Sequence, residues 1–231
     1  MPGKSMAMLA GRPSLAHIIA RLRRSCHLDG IVVATPKGPA NDPIRACADA
    51  EGVACFSGSE EDVLGRTLGA ARSVGADVIV LVTGDNPLID PLVVGRVIEA
   101  YRRERPDYAS NCLVRTYPDG IEVEVFATAV LAEVDGATRE PAHREHVTLY
   151  ICERPHRYRL LNVPAPPEHT WPDLRITLDT EDDYRLIGAI YDALYPVDPA
   201  FGLPETLAWV RAHPNLLPGA TRTSAAGRAA C

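Results

Sequence analysis

The sequence predicts an α/β protein built on a doubly wound, mostly parallel sheet. Short, unbroken runs of β-branched residues occur at positions 30–35, 53–56 and 77–83, as expected of strands that are covered on both faces. Between these runs lie helical patterns, one after Pro13 and another after Pro91. A regular alternation of strand and helix is typical of parallel sheets whose strands are joined by crossover helices.

The second half of the chain has a different pattern. Residues 120–127 alternate polar and apolar side chains, and residues 156–163 and 174–178 are further strand candidates. A helical pattern resumes at Thr180. We therefore expect some antiparallel pairing beside the parallel core.

Length and composition indicate one domain. The chain has 231 residues, of which 46% are hydrophobic, which is enough to bury one substantial core. We expect residues 1–217 to form a single domain. Residues 218–231 are rich in Gly, Ala, Ser and Thr, and we expect a disordered tail there.

Charge and cysteine usage narrow the class of partner. The net charge of -6 gives no basic field to hold a nucleic acid, and no apolar run approaches the roughly 18 residues that span a bilayer. The six cysteines form no CxxC pair and follow no signal peptide. We expect reduced thiols and a cytoplasmic protein.

The start of the chain is unusual for a doubly wound sheet, which normally begins with its central strand and a phosphate-binding loop. Here a helix follows the first residues directly. The strands at 30–35 and 77–83 would then lack their common neighbour. We expect that the first central strand is missing, that Met1 is not the natural start, and that the reading frame continues upstream.

Asp85 is the strongest candidate for chemistry. It lies in the stretch 83–91, at the carboxyl end of a predicted buried strand, where open α/β sheets bind ligands. A carboxylate there can hold a divalent ion that bridges triphosphate oxygens. The alternative is a helix-capping turn, which we favour for Asp90 because Pro91 follows it.

A second strand-end carboxylate, Asp179, follows residues 174–178. It could instead cap the next helix, as could Thr180. Two strand-end aspartates that converge on one ion would make a magnesium site.

Two further polar clusters occupy residues 115–124 and 143–148. Each has a structural alternative: Glu122 and Glu124 could form the solvent face of a strand, and Arg144 with Glu145 could belong to an exposed helix face. HREH lacks the HExxH spacing, and the chain has no GxSxG, GxGxxG or Walker loop, so motifs give no support to a zinc protease, a hydrolase, or a dinucleotide or P-loop protein.

Seven ordered segments resemble one family. In chain order they read PGK, AGRP, GSEEDVLGR, TGDNPLIDP, RTYPDGIEVEVF, REHVT and LRITLDTEDD. Together they resemble the cytidylyltransferases of spore-coat and surface polysaccharide synthesis, relatives of the CMP-Kdo and CMP-sialate synthetases. Members of that family begin with a strand and a loop that reads roughly ARxxSTRLPGK, and Met1 stands at the leucine of that loop.

The resemblance implies a doubly wound sheet with a small dimerisation arm at residues 115–126, and a homodimer. It also implies that an anionic acceptor attacks the α-phosphate of CTP and releases pyrophosphate. Asp85 and Asp179 would bind Mg²⁺, and Lys4 would face the triphosphate. Asp62 and Arg66 would lie on the nucleotide side. The acceptor pocket would use Tyr117, Asp119, Glu122, Arg144, Glu145 and His146.

Two other functions remain open on the sequence alone. A nucleotide-sugar-dependent glycosyltransferase has a similar sheet and metal aspartate, although Asp85-Asn86-Pro87 lacks the second acid of a DxD motif. A catalytically dead binding protein is the other, since the N-terminal nucleotide loop is short.

Overall fold

The computed structural model describes Met1 and residues 3–217. The expected tail at 218–231 lies outside the described residues. In chain order the strands and helices are β1 Met8–Leu9, β2 Arg12–Pro13, α1 Ser14–Leu22, β3 Val32–Pro36, α2 Asp42–Ala50, β4 Ala54–Gly58, α3 Val63–Ser73, β5 Val78–Leu81, α4 Pro91–Glu104, β6 Tyr108–Ser110, β7 Glu124–Ala127, α5 Thr128–Ala137, α6 Pro141–Glu145, α7 Leu149–Cys152, β8 Leu160–Asn162, α8 Glu181–Leu194 and α9 Leu203–Ala212. Short 3₁₀ turns occupy Lys4–Met6, Pro39–Asn41, Pro167–His169 and Pro214–Leu216.

The strands confirm the α/β class. β3 and β4 form a parallel pair, and a second sheet has the order β5-β7-β6-β8. In that sheet β6 and β8 are parallel, whereas β7 runs antiparallel to both β5 and β6. The antiparallel pairing expected in the second half of the chain is therefore present, and it lies in the middle of the larger sheet.

In the part of the chain that the structure describes, the β3–β4 pair and the four-stranded sheet are separate, and no strand is paired between β3 and β5. Val78 on β5 is 44% exposed although it is a large apolar residue. The two strands that the sequence leaves without a common neighbour do not pair with each other.

The main hydrophobic cluster extends through most of the chain. Its buried residues run from Leu9 to Val210 and include residues of α4 and α8 as well as Ile121 and Val123. A second cluster joins α3 to α5, with Tyr108 and Phe126 fully buried in it. Both polar clusters of the sequence include core residues: Ile121 and Val123 belong to the main cluster, and Val147 belongs to the second.

Side-chain caps fix where three helices begin. Thr180 and Asp183 form a capping box at the start of α8. Asp62 accepts from Gly65 N at 2.8 Å at the start of α3. Asp90 accepts from Leu92 N at 2.7 Å at the start of α4, and its other oxygen accepts from Leu203 N at the start of α9. The capping interpretation of Asp90 is confirmed.

Two predicted strands differ from those observed. Residues 174–178 form no regular strand, because the segment runs beside two loops and not beside a continuous strand. It has one isolated parallel bridge, between Arg175 and Asp119. Residues 120–127 are strand only over β7. Gly120, at φ 109°, lies so close to the crossing segment that an added Cβ would stand 2.7 Å from the Ile176 carbonyl.

The expectation of reduced thiols is confirmed at four positions: Cys26, Cys47, Cys55 and Cys112 are free. Among the described residues, no helix is both long and apolar enough to cross a membrane.

Replacing Asp90 by Ala should lower the free energy of unfolding by about 2 to 4 kcal/mol, because the cap of α4 is lost and the buried Leu203 N–H loses its acceptor. Urea denaturation followed by circular dichroism measures the loss. Asp182→Ala is the control: its carboxylate is 47% exposed and pairs with Arg185 on the same helix, so its cost should stay below about 1 kcal/mol. Equal losses in the two variants would contradict the double cap.

Candidate functional site

Three predicted residues meet at one point. The Lys4 Nζ lies 2.9 Å from Asp85 Oδ2 and 2.6 Å from Asp179 Oδ1. Asp85 follows β5 and is 5% exposed, and Asp179 immediately precedes the cap of α8. The capping alternative for Asp179 does not hold, because Thr180 caps the helix and the Asp179 carboxylate turns toward Lys4.

Backbone hydrogen bonds bring the two aspartates together. Leu178 N donates to the Asp85 carbonyl at 2.8 Å, and Thr177 Oγ1 donates to the same carbonyl at 3.3 Å. The segment before Asp179 is thereby tied directly to the loop after β5. The two acids are therefore held close together by hydrogen bonds to the backbone as well as by Lys4.

The electrostatics favour the charged lysine. Burial alone would lower the pKa of Lys4, but the hydrogen bonds and charges of Asp179 and Asp85 raise it above its ordinary value. Thr83 Oγ1 also donates to Asp85 Oδ1. Lys4 thus supplies the positive charge that lets two carboxylates lie side by side.

The same geometry tests whether a magnesium ion would fit. Two carboxylate oxygens that each lie within 2.9 Å of one ammonium nitrogen converge closely enough to share a cation. Mg²⁺ is commonly bound by one or two carboxylates together with water and phosphate oxygens. Within the described residues no group of three or more His, Cys, Asp or Glu is placed to hold a metal, so a two-carboxylate site is what this chain offers.

Arg175 is a member of the site that the sequence interpretation missed. Its guanidinium bonds to Asp179 Oδ2, lies 3.0 Å from Asp119 Oδ2 and contacts both oxygens of Asp183. Burial alone would lower the pKa of Arg175, but the bonds to Asp183 and Asp179 raise it above its ordinary value. The signal was present: Arg175 and Asp179 alternate with buried residues in an extended segment, so both point to the same side.

The predicted acceptor residues Asp119 and Glu122 adjoin this site: Asp119 contacts Arg175, and Arg115 joins Asp119 to Glu122. Arg115 Nη1 lies 3.2 Å from Asp119 Oδ1 and 2.6 Å from Glu122 Oε1. Glu122 Oε2 also accepts from Gly120 N at 2.8 Å and from Asn86 Nδ2 at 3.2 Å. Asn86, which the sequence interpretation did not single out, follows Asp85 directly and therefore links Glu122 to the loop that carries Asp85.

Glu122 is an unusual carboxyl group. Burial raises the pKa of Glu122 to about 7, the Asp119 charge adds to the rise, and Arg115 opposes it. Burial likewise raises the pKa of Glu124, which accepts from Tyr108 and Thr148. Neither side chain forms the solvent face of a strand, which was the structural alternative for both.

The other predicted residues lie elsewhere. Arg144 pairs with Asp62 and lies 2.8 Å from Asp135 Oδ1, so a residue expected at the acceptor meets one expected at the nucleotide. Burial alone would raise the pKa of Asp62, but Arg144 and the Gly65 N–H lower it. The Arg66 guanidinium bonds to the Ser59 and Glu60 carbonyls.

Tyr117 is 2% exposed and belongs to the main core. Glu145 and His146 are exposed at the end of α6. The binding roles of these residues stay predictions.

The mixed α/β fold brings two aspartates and a lysine together beside the carboxyl end of β5, the edge at which open α/β sheets bind ligands. The cytidylyltransferase family model matches residues 1–195, and the chain belongs to that family. It is 34% identical to the spore coat polysaccharide biosynthesis protein SpsF of Bacillus subtilis, over 83% of this chain and 80% of that protein.

Two further similarities agree with the family. A 3-deoxy-manno-octulosonate cytidylyltransferase of Anaeromyxobacter is 38% identical over 43% of this chain and 40% of its own length. A solved cytidylyltransferase structure from Leptospira borgpetersenii matches with a TM-score of 0.87 and 28% identity, covering 96% of this chain and 92% of that one.

The stability of the protein should depend on pH through Glu122. Because folding raises its pKa from 4.5 to about 7, its contribution to stability is fully present below about pH 4.5 and is lost as pH rises through about 7. Glutamine does not titrate. The unfolding free energy of the wild type minus that of Glu122→Gln should fall by up to about 3 kcal/mol between pH 4.5 and pH 8.

Urea denaturation of both proteins across this pH range gives that difference. The matched control is Glu145→Gln, which removes an exposed carboxyl group at the end of α6. A flat profile for Glu122→Gln would show that the carboxyl group titrates normally.

Proposed function

We propose that this protein transfers CMP from CTP to a small anionic acceptor such as a sugar acid, releasing pyrophosphate, in the synthesis of a surface polysaccharide or related glycan. The observation that carries the proposal is the convergence of Asp85 and Asp179 on one cation at 2.9 and 2.6 Å. Family membership supports the CTP chemistry. The names of SpsF and of the octulosonate enzyme support the acceptor class and the polysaccharide context.

The chemistry needs positioning and charge neutralisation rather than a covalent intermediate. An acceptor oxygen forms a bond to the α-phosphorus while the bond from that phosphorus to the bridging oxygen breaks, and pyrophosphate carries away the electron pair. Bound Mg²⁺, held by Asp85 and Asp179, would supply charge neutralisation for the phosphate oxygens. Lys4, which is 30% exposed, is free to turn from the acids toward the triphosphate.

Arg115 and Arg175 are the cations beside the proposed acceptor residues Asp119 and Glu122. We assign the carboxylate of the acceptor to this pair, because an arginine fork matches carboxylate geometry. Tyr117, buried as it is, would act by supporting the pocket wall. Arg144, Glu145 and His146 would border the acceptor, and Asp62 with Arg66 would border the nucleotide.

A nucleotidyltransferase is favoured over the glycosyltransferase alternative because the whole family match concerns cytidylyl transfer. The main hydrophobic cluster, which runs from Leu9 to Val210, supports a single nucleotidyltransferase domain over residues 1–217.

Asp85→Asn and Asp179→Asn should each lower kcat/KM at least about a hundredfold, since each removes a ligand of the ion that neutralises the phosphates. Pyrophosphate release is measured with each of the four nucleoside triphosphates and a panel of sugar acids, with magnesium or with EDTA. CTP should be preferred and EDTA should abolish release. Asp182→Asn, an acid on the outer side of the same helix start, is the control and should keep activity.

Undiminished release in either variant, or in EDTA, would contradict the metal assignment. Release with another nucleotide in preference to CTP would contradict the cytidylyl specificity. Circular dichroism of each variant separates loss of activity from loss of fold.

The same proposal includes a homodimer. The part of the expected arm at Glu124–Phe126 cannot pair edge to edge with a second copy, because β5 and β6 occupy both edges of β7. A dimer contact made through the arm would therefore use its remaining residues, 115–123. Light scattering at micromolar concentration should give twice the 25.0 kDa of one chain, and a monomer mass would contradict the dimer.

A further inference from the structure

A buried arginine lies on the side of α1 that faces α8. Arg21 is 4% exposed, and its Nε donates to the Tyr191 hydroxyl at 3.1 Å while its Nη1 donates to the Phe201 carbonyl at 3.0 Å. Its Nη2 is buried and has no hydrogen-bond partner. Within the described residues no carboxylate pairs with Arg21. Buried charges normally have a partner, because taking an unpaired ion out of water is costly.

The Arg21 side chain lines a cavity of about 130 Å³ between α1 and α8. The other lining residues are Arg12, His17, Ala20, Arg24, Tyr191, Tyr195 and Pro199. A water molecule occupies roughly 30 Å³, so the cavity has room for one small polyatomic ion. None of its lining residues is acidic.

The neighbouring acid is already engaged elsewhere. Glu51 lies 2.7 Å from Arg12 and 3.2 Å from Arg23, so it offers no charge to Arg21. Burial lowers the pKa of His17, whose Nε2 lies 2.7 Å from the Leu9 carbonyl. The charge around the cavity is therefore positive.

We propose that this cavity, the α1–α8 cavity, binds a small oxyanion of the phosphate class, with Arg21 Nη2 as its innermost donor. Arg24 and Arg12 stand at the cavity wall as further donors. A planar guanidinium fork matches the oxygens of phosphate. The bound anion supplies the countercharge that Arg21 lacks.

The site is distinct from the Lys4 cluster but touches the same loop. Arg21 Nη1 reaches the Ile89 carbonyl, and the Tyr191 hydroxyl donates to the Pro87 carbonyl at 2.6 Å. Asp85 lies two residues before Pro87. An anion in the cavity therefore stabilises the back of the loop that carries Asp85.

Isothermal titration with inorganic phosphate, without CTP or magnesium and at constant ionic strength set by NaCl, tests the proposal. Ala20→Leu fills the cavity while keeping every charge, and leucine suits a helix. Arg24→Gln removes an exposed donor at the wall. Each should weaken phosphate binding at least about tenfold. The matched control is Arg23→Gln, the neighbouring exposed arginine that does not line this cavity, which should change affinity less than about twofold.

Arg175→Gln locates the binding. If phosphate occupies the α1–α8 cavity, Arg175→Gln keeps wild-type affinity. Loss of binding in Arg175→Gln with retention in Ala20→Leu would place the phosphate at the Lys4 cluster and overturn the proposal. No measurable binding to the wild type at phosphate concentrations on the order of 10 mM would overturn it as well.

Discussion

The ammonium of Lys4 lies between the carboxylates of Asp85 and Asp179, and the arrangement of the site depends on that contact. Two acids at such short range from one point repel each other unless a cation separates them. Here the cation is a lysine from a 3₁₀ turn at the beginning of the described chain, whereas the acids come from loops after β5 and before α8. These residues are distant in sequence, and two kinds of interaction hold their loops together: the ion pairs of Lys4 and the backbone hydrogen bond from Leu178 N to the Asp85 carbonyl.

The cluster extends by alternating charge. Asp179 contacts Arg175, Arg175 contacts Asp119, and Asp119 contacts Arg115, which holds Glu122. Asp183 belongs to two structures at once: it closes the capping box of α8 and pairs with Arg175. The start of α8 therefore orients the arginine that orients Asp179, so helix capping and site geometry are linked.

The sequence was informative where one residue stood at a strand end or helix start. Asp85, Asp179 and Asp90 were identified in that way. The strands β3 and β4 were predicted from unbroken runs of β-branched residues, and the helix after Pro91 from the spacing of its apolar residues. The sequence was less informative where a contact depends on a loop crossing. Nothing in local periodicity shows that residues 174–178 run past Gly120, so the contact of Arg175 with Asp119 could not be predicted. Arg144 and Asp62 were assigned to different substrates, yet they form one ion pair. Contacts between α3 and α6 leave no pattern in the sequence spacing, so this pair could not be predicted.

The loop from Thr83 to Pro91 shows why strand-end acids have to be distinguished by their partners. Asp85 accepts a hydrogen bond from the Lys4 ammonium. Asp90, five residues later, accepts with both oxygens from backbone N–H groups of α4 and α9. Both residues are almost fully buried, so burial alone does not separate them. What separates them is the kind of donor: Asp85 accepts from a side-chain ammonium, whereas Asp90 accepts from backbone amides and cannot leave them without undoing two helix starts. The loop thus holds the proposed metal ligand, Asp85, in place with a structural acid, Asp90.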